Sequence, residues 1–318
     1  MSKAPSAGEG WRANIVIYAA LLANLGIAVA KFIAAAFTGS SSMLTEGVHS
    51  LVDTGNQGLL LYGQHRARRA PDALHPFGYG RELYFWAFVV AILIFGLGAT
   101  VSIYEGLQHI AEPEEMHSPL VNYIVLGIAL VLEGTSWGIA LREFGKAKGA
   151  LRWWAAVRDS KDPAGFIVLF EDSAALAGLV VAGTGIWASH YWNDSRIDGW
   201  ASIVIGAILA GVAMLLAREA KGLLIGERAD PALVAAIRAT LEAEPLITAV
   251  NHVRTVHSAP DAVFVAISAD FVDTLPMGEA ETLIERLEQR LKAQSPQLRS
   301  IYIRPEKAEN AIDAVPLG

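Results

Sequence analysis

Residues 41–56 read Ser-Ser-Met-Leu-Thr-Glu-Gly-Val-His-Ser-Leu-Val-Asp-Thr-Gly-Asn, which sets Glu46, His49, Asp53 and Asn56 at i, i+3, i+7 and i+10. Helical geometry gathers such positions on one stripe. His49 and Asp53, four apart, can offer an imidazole nitrogen and a carboxylate oxygen to a single cation, and Glu46 on the same stripe can carry a proton or support those ligands. A second polar cluster, Phe170-Glu171-Asp172-Ser173, interrupts a segment from Phe166 to Trp187 that is otherwise mainly Ala, Leu, Val and Gly. Adjacent acids point about 100° apart on a helix, so only one of them aims directly at the first cluster. Asp172 is the first choice, with Glu171 completing the shell, pairing with a cation or shuttling a proton. The chain has no cysteine, so a metal must be held by imidazole, carboxylate, carbonyl or water. Zn²⁺ accepts such a mixed His/carboxylate set in tetrahedral geometry, and Mn²⁺ and Fe²⁺ are compatible with it.

The elements that must position these residues are apolar. Of 318 residues 53% are hydrophobic and 18% charged, apolar-rich and charge-poor relative to ordinary soluble domains. A bilayer core of about 30 Å takes roughly 20 apolar residues per helix, and stretches of that size fall at 13–38, 43–66, 82–110, 119–141, 164–191 and 199–220. Both chemical clusters therefore sit inside expected spans, the second and the fifth, where each ionisable group is costly and normally marks an ion or proton pathway. A structural polar network is the competing reading for any one of them. Asn24, Lys31, Glu105 and Glu133 are read that way, as ties between helices or as side chains that snorkel to the interface. Trp153, Trp154 and Trp192 lie near the expected membrane surfaces, where such rings anchor.

Lys and Arg mark the sides. Lys3 and Arg12 precede the first span, Arg66, Arg68, Arg69 and Arg81 separate the second and third, Arg142 to Lys161 join the fourth to the fifth, and Arg218 and Lys221 follow the sixth. The alternate loops, 39–42 and 112–118, contain neither, and 193–198 has only Arg196. Both termini are expected in the cytoplasm. The first apolar run begins near Ala13 and is too long for a cleavable signal, so it reads as a retained helix. No organelle address is apparent, and the basic-loop pattern is satisfied by a bacterial inner membrane, the expected location.

The pattern changes after Gly226. An amphipathic helix from Asp230 to Glu244, apolar runs at 250–256 and 263–271, a helix at 278–293 and a strand at 298–303 give an α-β-β-α-β order, suited to a small α+β, ferredoxin-like layer domain. The expected organisation is a tail at 1–12, a six-helix all-α transmembrane bundle at 13–225, the cytoplasmic domain at 226–307 and a flexible tail at 308–318. The net charge of −7 argues against nucleic acid as partner. No nucleophile elbow, phosphate-cradling loop or His-Glu-x-x-His pattern is present, so hydrolase, enzyme and ATP-driven pump readings lack support.

Three motifs carry a family resemblance: Gly39 through Asp53, then His75-Pro76-Phe77-Gly78-Tyr79-Gly80-Arg81-Glu82, then Asp198-Gly199-Trp200-Ala201-Ser202. Together they resemble the cation diffusion facilitators, over nearly the whole chain from Ala13 to Pro305. The resemblance implies a homodimeric six-helix transporter with a metallochaperone-like cytoplasmic domain and a central site built from two ligands on the second helix and two on the fifth. His49 and Asp53 match the second-helix pair and Asp172 the family's aspartate, while the usual histidine four residues before it is Val168. The run from Glu171 to Ala175 is similar to the branch of the animal mitochondrial zinc exporter, where that histidine is also absent and Glu171 is a candidate substitute. In bacterial relatives the loop after the second helix can hold another metal. Asp72 and His75 match that site and Tyr79 replaces a further histidine of it, the competing reading being a turn closed by His75-Pro76. The positions of paired ligands in the cytoplasmic domain carry Asn251 and Ser268, and His252 and His257 beside a strand read as surface or packing residues.

The expected activity is proton-coupled antiport of a divalent cation, Zn²⁺ first, out of the cytoplasm by alternating access, with no prosthetic group and with metal ion, protons, lipid and a second copy of the chain as partners. Metal binding needs deprotonated ligands, and the unperturbed imidazole titrates nearest neutral pH, so His49 is the first candidate for coupling. An exporter of Mn²⁺, Fe²⁺ or Co²⁺ and a non-transporting membrane metal sensor or scaffold are the alternatives.

Overall fold

A computed structural model describes residues 7–113 and 118–311, apart from the side chains of residues 7–20, 23, 119 and 147. Lys3, the Arg12 side chain and residues 312–318 of the expected tail lie outside that description. The chain divides into two compact units, residues 1–65 with 83–220 and residues 66–82 with 221–318.

The first unit is helical. α1 spans Ala7–Thr38 and α2 Ser41–Ala67, which runs on into the second unit; α3 (Glu82–Leu93) continues through a π-helical turn (Ile94–Ala99) into α4 (Thr100–Ala111); α5 (Pro119–Ala147), the short α6 (Trp153–Asp159), α7 (Pro163–Trp192) and α8 (Arg196–Ile225) follow. Among the described residues four stretches are long and apolar enough to cross a membrane, Glu82–Ala111, Leu120–Lys146, Pro163–Trp192 and Arg196–Ile225, and Asn24–Thr38 forms a shorter apolar helix. α2 is outside that group because its polar stripe, Glu46, His49, Asp53 and Asn56, lowers its hydropathy. The expected third span is not a uniform α-helix: the π-turn widens it at Gly96 and Gly98, where Ser102 Oγ donates to the Gly98 carbonyl at 2.6 Å. Such single-turn insertions kink or re-aim a helix without breaking its hydrogen-bond ladder.

The first sequence motif, from Gly39, is bound to the Asp198 motif. α1 stops at Gly39, whose φ of +69° is the left-handed conformation that ends helices. Asp198, at the start of α8, accepts from the Ser42 amide at 3.1 Å and from Ser40 Oγ at 3.0 Å, and also pairs with Ser42 Oγ. Its carboxylate thus caps the amino terminus of α2 from outside that helix, where negative charge and acceptors are favoured. Beside it Gly199 meets Gly106: a Cβ on Gly106 would lie 2.5 Å from the Gly199 carbonyl oxygen, and one on Gly199 would lie 2.8 Å from that of Gly106. Only glycine permits two backbones to cross this closely in lipid. The serine run and the Asp-Gly pair are one structural device that fixes where α2 begins.

The second unit contains residues 66–82, α9 (Pro231–Glu242), β1 (Ile247–Ala259), β2 (Ala262–Phe271), α10 (Met277–Gln294) and β3 (Leu298–Pro305). The strands form one sheet in the order β1-β2-β3, antiparallel between β1 and β2 and parallel between β2 and β3. Val263, Val265, Ile267 and Ala269 alternate along β2 onto the face covered by Ile237 and Leu241 of α9 and Leu283, Leu287 and Leu291 of α10. The period-2 and period-3.6 patterns of the sequence meet in that core. His252 and His257 lie within β1 rather than beside it, because the strand runs unbroken, with bulges, from Ile247 to Ala259.

Candidate metal site

Two helices carry the expected ligands and a third completes their surroundings. On α2, His49 is buried and its Nδ1 stands 3.4 Å from Asp53 Oδ1. On α7, Glu171 is buried and accepts from Asn56 Nδ2 of α2 at 2.8 Å. Asp172 instead turns to α5, where Ser136 Oγ donates to its Oδ2 at 2.9 Å. The sequence favoured Asp172 as the acid aimed at the second helix; it is Glu171 that makes that bond. The 100° step between adjacent helical residues sends one acid to α2 and the other to α5.

Asp53, Glu171 and Asp172 nevertheless share one small crevice, about 20 Å³, lined also by Glu133 and Ser136 of α5 and by Asn24 and Gln57. That space is of the order of a single water or ion. Asn24 Nδ2 donates to Gln57 Oε1 at 3.1 Å, closing one side of it with a tie between α1 and α2. His49 stands behind Asp53 rather than on the crevice wall. Among the described residues no three His, Asp or Glu side chains are drawn together tightly enough to hold an ion in this conformation.

The polar atoms around the crevice are unusual in what they lack. Both ring nitrogens of His49, Asp53 Oδ1, Asn56 Oδ1, Glu46 Oε1 and Glu133 Oε2 are shielded from solvent without a hydrogen-bond partner. Each such atom costs free energy of order 1–3 kcal/mol, and buried polar groups elsewhere in proteins are nearly always satisfied. The chemistry of the set, carboxylates with an imidazole, is that of a divalent-cation site.

Glu46 does not share in it directly. Its Oε2 accepts from Lys31 Nζ at 2.9 Å, and that ammonium, fully buried on α1, also donates to Ser50 Oγ at 2.8 Å and to Glu133 Oε1 at 2.9 Å. The polar residues Lys31 and Glu133 thus tie helices together and do not snorkel. Gly178 is what makes room for Glu46, since a Cβ there would come within 2.4 Å of Oε1. Glu133, Ser136 and Gln57 were missed as crevice residues in the sequence. One signal was present: a lone cation in one apolar helix and a lone anion in another cannot stay unpaired in a membrane.

The loop residues Asp72 and His75 are differently placed. Their side chains approach to 3.5 Å, but both are about half exposed. Asp72 Oδ1 accepts from the amides of Leu74 at 3.0 Å and His75 at 2.7 Å, and its Oδ2 accepts from the Tyr79 hydroxyl at 2.6 Å. The Tyr79 hydroxyl, with the His75 amide next, holds the Asp72 carboxyl down to about 2, and Asp72 in turn pushes the Tyr79 phenol up. His75 lies against the Tyr79 ring, centroids 4.2 Å apart. In the sheet of the second unit Asn251 Nδ2 donates to Ser268 Oγ at 3.0 Å and to the Glu306 carbonyl at 2.9 Å. Ser268 also donates to the Glu306 carboxylate, which holds that carboxyl below its usual range.

Comparison with known proteins gives two family matches, the cation efflux transmembrane domain over residues 17–225 and the cation efflux protein cytoplasmic domain over residues 229–308. The mouse proton-coupled zinc antiporter SLC30A9, mitochondrial, is 30% identical over 292 residues, 90% of this chain and 51% of that protein. Metal tolerance protein C4 of Arabidopsis thaliana is 35% identical over 195 residues, 60% of this chain and 42% of that one. The cation-efflux pump FieF of Pectobacterium atrosepticum is 27% identical over 288 residues, 89% of this chain and 90% of that one. The chain spans about half the length of the mitochondrial relatives it matches.

Proposed function

The chain belongs to the cation efflux family, and on that premise we propose that it is a divalent cation/proton antiporter that moves Zn²⁺ out of the cytoplasm by alternating access. The observation that carries this reading is the ion-sized crevice where Asp53, Glu171 and Asp172 converge, with unpartnered buried polar atoms around it. The names of the mammalian relatives, proton-coupled zinc antiporters, support the same direction of chemistry.

The coupling follows from electrostatics. Several carboxylates gathered in a low dielectric repel one another, and either a dication or protons can neutralise them. A bound metal requires its ligands deprotonated, so loading from one side releases protons and acidification of the other side displaces the metal. No separate proton site is needed. Asp53, Asp172 and Glu171 are assigned as metal ligands, and His49, whose Nδ1 stands 3.4 Å from Asp53 Oδ1, is assigned with them. Glu46 is assigned to support of the site through Lys31. With Val168 in place of a histidine the donors are mostly oxygen, which favours a second reading in which Mn²⁺, Fe²⁺ or Co²⁺ accompanies or replaces Zn²⁺.

The six-span count is part of this proposal: α1 and the polar-striped α2 join the four apolar spans, both termini facing the cytoplasm. The cytoplasmic domain is assigned to the ferredoxin-like class and to homodimerisation. Asn251 and Ser268 are committed to hydrogen bonds with each other and Glu306, which argues that dimerisation proceeds without a metal pair there. Asp72 and His75 are assigned to the loop's own turn. A bacterial inner membrane remains the proposed location, supported by the match along nearly the whole length of a bacterial relative.

Proteoliposomes carrying the purified chain test the reading. Uptake of Zn²⁺ and Mn²⁺ under an imposed pH gradient is expected for the unaltered chain and is lost in His49→Ala and Asp172→Ala. Flux that survives both substitutions, or no metal flux at all, contradicts it and favours a sensor or scaffold.

A further inference from the structure

The two carboxylate oxygens of Glu133 of α5 have different fates. Oε1 is fixed by the fully buried Lys31 ammonium at 2.9 Å, while Oε2 is shielded from solvent and has no partner. The same side chain lines the crevice with Asp53, Glu171 and Asp172. A buried ion pair with an unused lone-pair oxygen is costly to keep. The arrangement is explained if the unused oxygen has a ligand during the working cycle.

We propose that Glu133 is an oxygen ligand of the transported divalent cation, supplied by the fourth span, and that Lys31 is the positioning residue that holds its other oxygen so that the free one faces the crevice. The inference rests on the transport reading above and deepens it by adding a donor from a third helix. Ser136, one helical turn along the same face of α5, already donates to Asp172, so α5 presents an oxygen and the support for another ligand to the same space. Lys31 is held on three sides, by Glu46, Ser50 and Glu133, and cannot follow the ion. It is a tethered cation that leaves a single oxygen of Glu133 to the metal, which makes that ligand monodentate.

A ligand drawn from the helix that also carries the support of Asp172 binds ion position to the packing of α5 against α7. Metal choice should depend on it: a carboxylate fixed at one oxygen suits an ion of one size, whereas a Gln at this position keeps the shape and loses the charge. A purely structural role, by contrast, is exhausted by neutralising Lys31.

The test compares the unaltered chain with Glu133→Gln, Lys31→Gln and the double variant Lys31→Gln/Glu133→Gln in proteoliposomes, reading KM and maximal rate for Zn²⁺ and for Mn²⁺, with Zn²⁺ binding to the purified proteins measured alongside. The expectation is a rise of at least about 10-fold in KM and in the dissociation constant in Glu133→Gln, no less than the loss of an outer-shell partner of a metal costs, together with a changed Zn²⁺-to-Mn²⁺ preference. The double variant restores charge balance and should keep both defects. If it instead recovers the affinity and preference of the unaltered chain, Glu133 serves only Lys31 and the inference is overturned. Unchanged affinity in Glu133→Gln overturns it as well while leaving the transport reading standing, whereas an unaltered chain that neither binds nor moves metal removes both. Should Glu133→Gln be unstable, Glu133→Asp provides the graded comparison: weaker metal affinity with retained Lys31 pairing supports the ligand role, and unaltered affinity rejects it.

Discussion

Two His/Asp pairs at one-turn spacing, both within 3.5 Å, lie in opposite surroundings. His49 and Asp53 are 2% and 17% exposed, and His49 has neither ring nitrogen hydrogen-bonded. His75 and Asp72 are 51% and 47% exposed, and both carboxylate oxygens of Asp72 are occupied by the turn's own amides and by Tyr79. The residue types and the interatomic distance are nearly the same, so neither distinguishes a candidate ion site from a turn. The difference lies in unmet demand. In the membrane pair the polar atoms are buried and unsatisfied, which is tolerated where a ligand comes and goes; in the loop pair every oxygen already has work in holding the chain.

The contrast can be broken first at its strongest point. Asp53→Ala should lower proton-driven Zn²⁺ flux by at least about 100-fold, beyond the range for loss of a merely supporting partner, whereas Asp72→Ala should leave flux within about twofold. Equal losses in the two variants would mean that the loop takes part in transport and that burial is the wrong criterion. Next in size is Lys31→Ala, which removes the ammonium that donates to Glu46 Oε2 and Glu133 Oε1 and leaves two carboxylates buried without that cation. Breaking a buried pair this way costs about 3–5 kcal/mol. The thermal unfolding midpoint in detergent should fall accordingly, and Lys31→Ala with Glu46→Gln should recover part of it.

A smaller effect sharpens the same comparison at the end of α2. Asp198→Ala removes the carboxylate that accepts from Ser40 and the Ser42 amide, a loss of about 1.5–3 kcal/mol for bonds to a charged acceptor. Asp198→Asn should lose less, since an amide oxygen still caps the helix. The smallest expected effect concerns the loop. Because the folded carboxyl of Asp72 sits near 2, below its ordinary value of 3.8, its contribution to the turn is present above that ordinary value and is lost only as pH falls through the folded one. Carboxyl NMR should therefore find the turn intact at pH 4 and, in Tyr79→Phe, an Asp72 titration moved up toward the ordinary value.

Much of the site was legible because intramembrane polarity is expensive: the stripe Glu46, His49, Asp53 and Asn56 and the pair Glu171–Asp172 stand out against apolar helices. What spacing within one helix cannot give is the partner across helices. Lys31, Glu46 and Glu133 meet over separations of 15 and 102 residues, and the choice between Glu171 and Asp172 depends on how α7 is rotated against α2 and α5. The π-turn at Ile94–Ala99 was hidden for a different reason, since an apolar run looks the same whether its helix is regular or widened. In the second unit the alternation of β2 was readable, and the closing of Asn251 on Ser268 was not, because it depends on register between neighbouring strands.

The most direct test of the central claim is proton release on metal binding. Zn²⁺ added to the purified chain in weakly buffered solution near neutral pH should release protons in proportion to metal bound, and both binding and release should collapse in Asp53→Asn/Asp172→Asn. Zn²⁺ binding without proton release, or release of the same size in the double variant, would contradict exchange of metal for protons at this crevice.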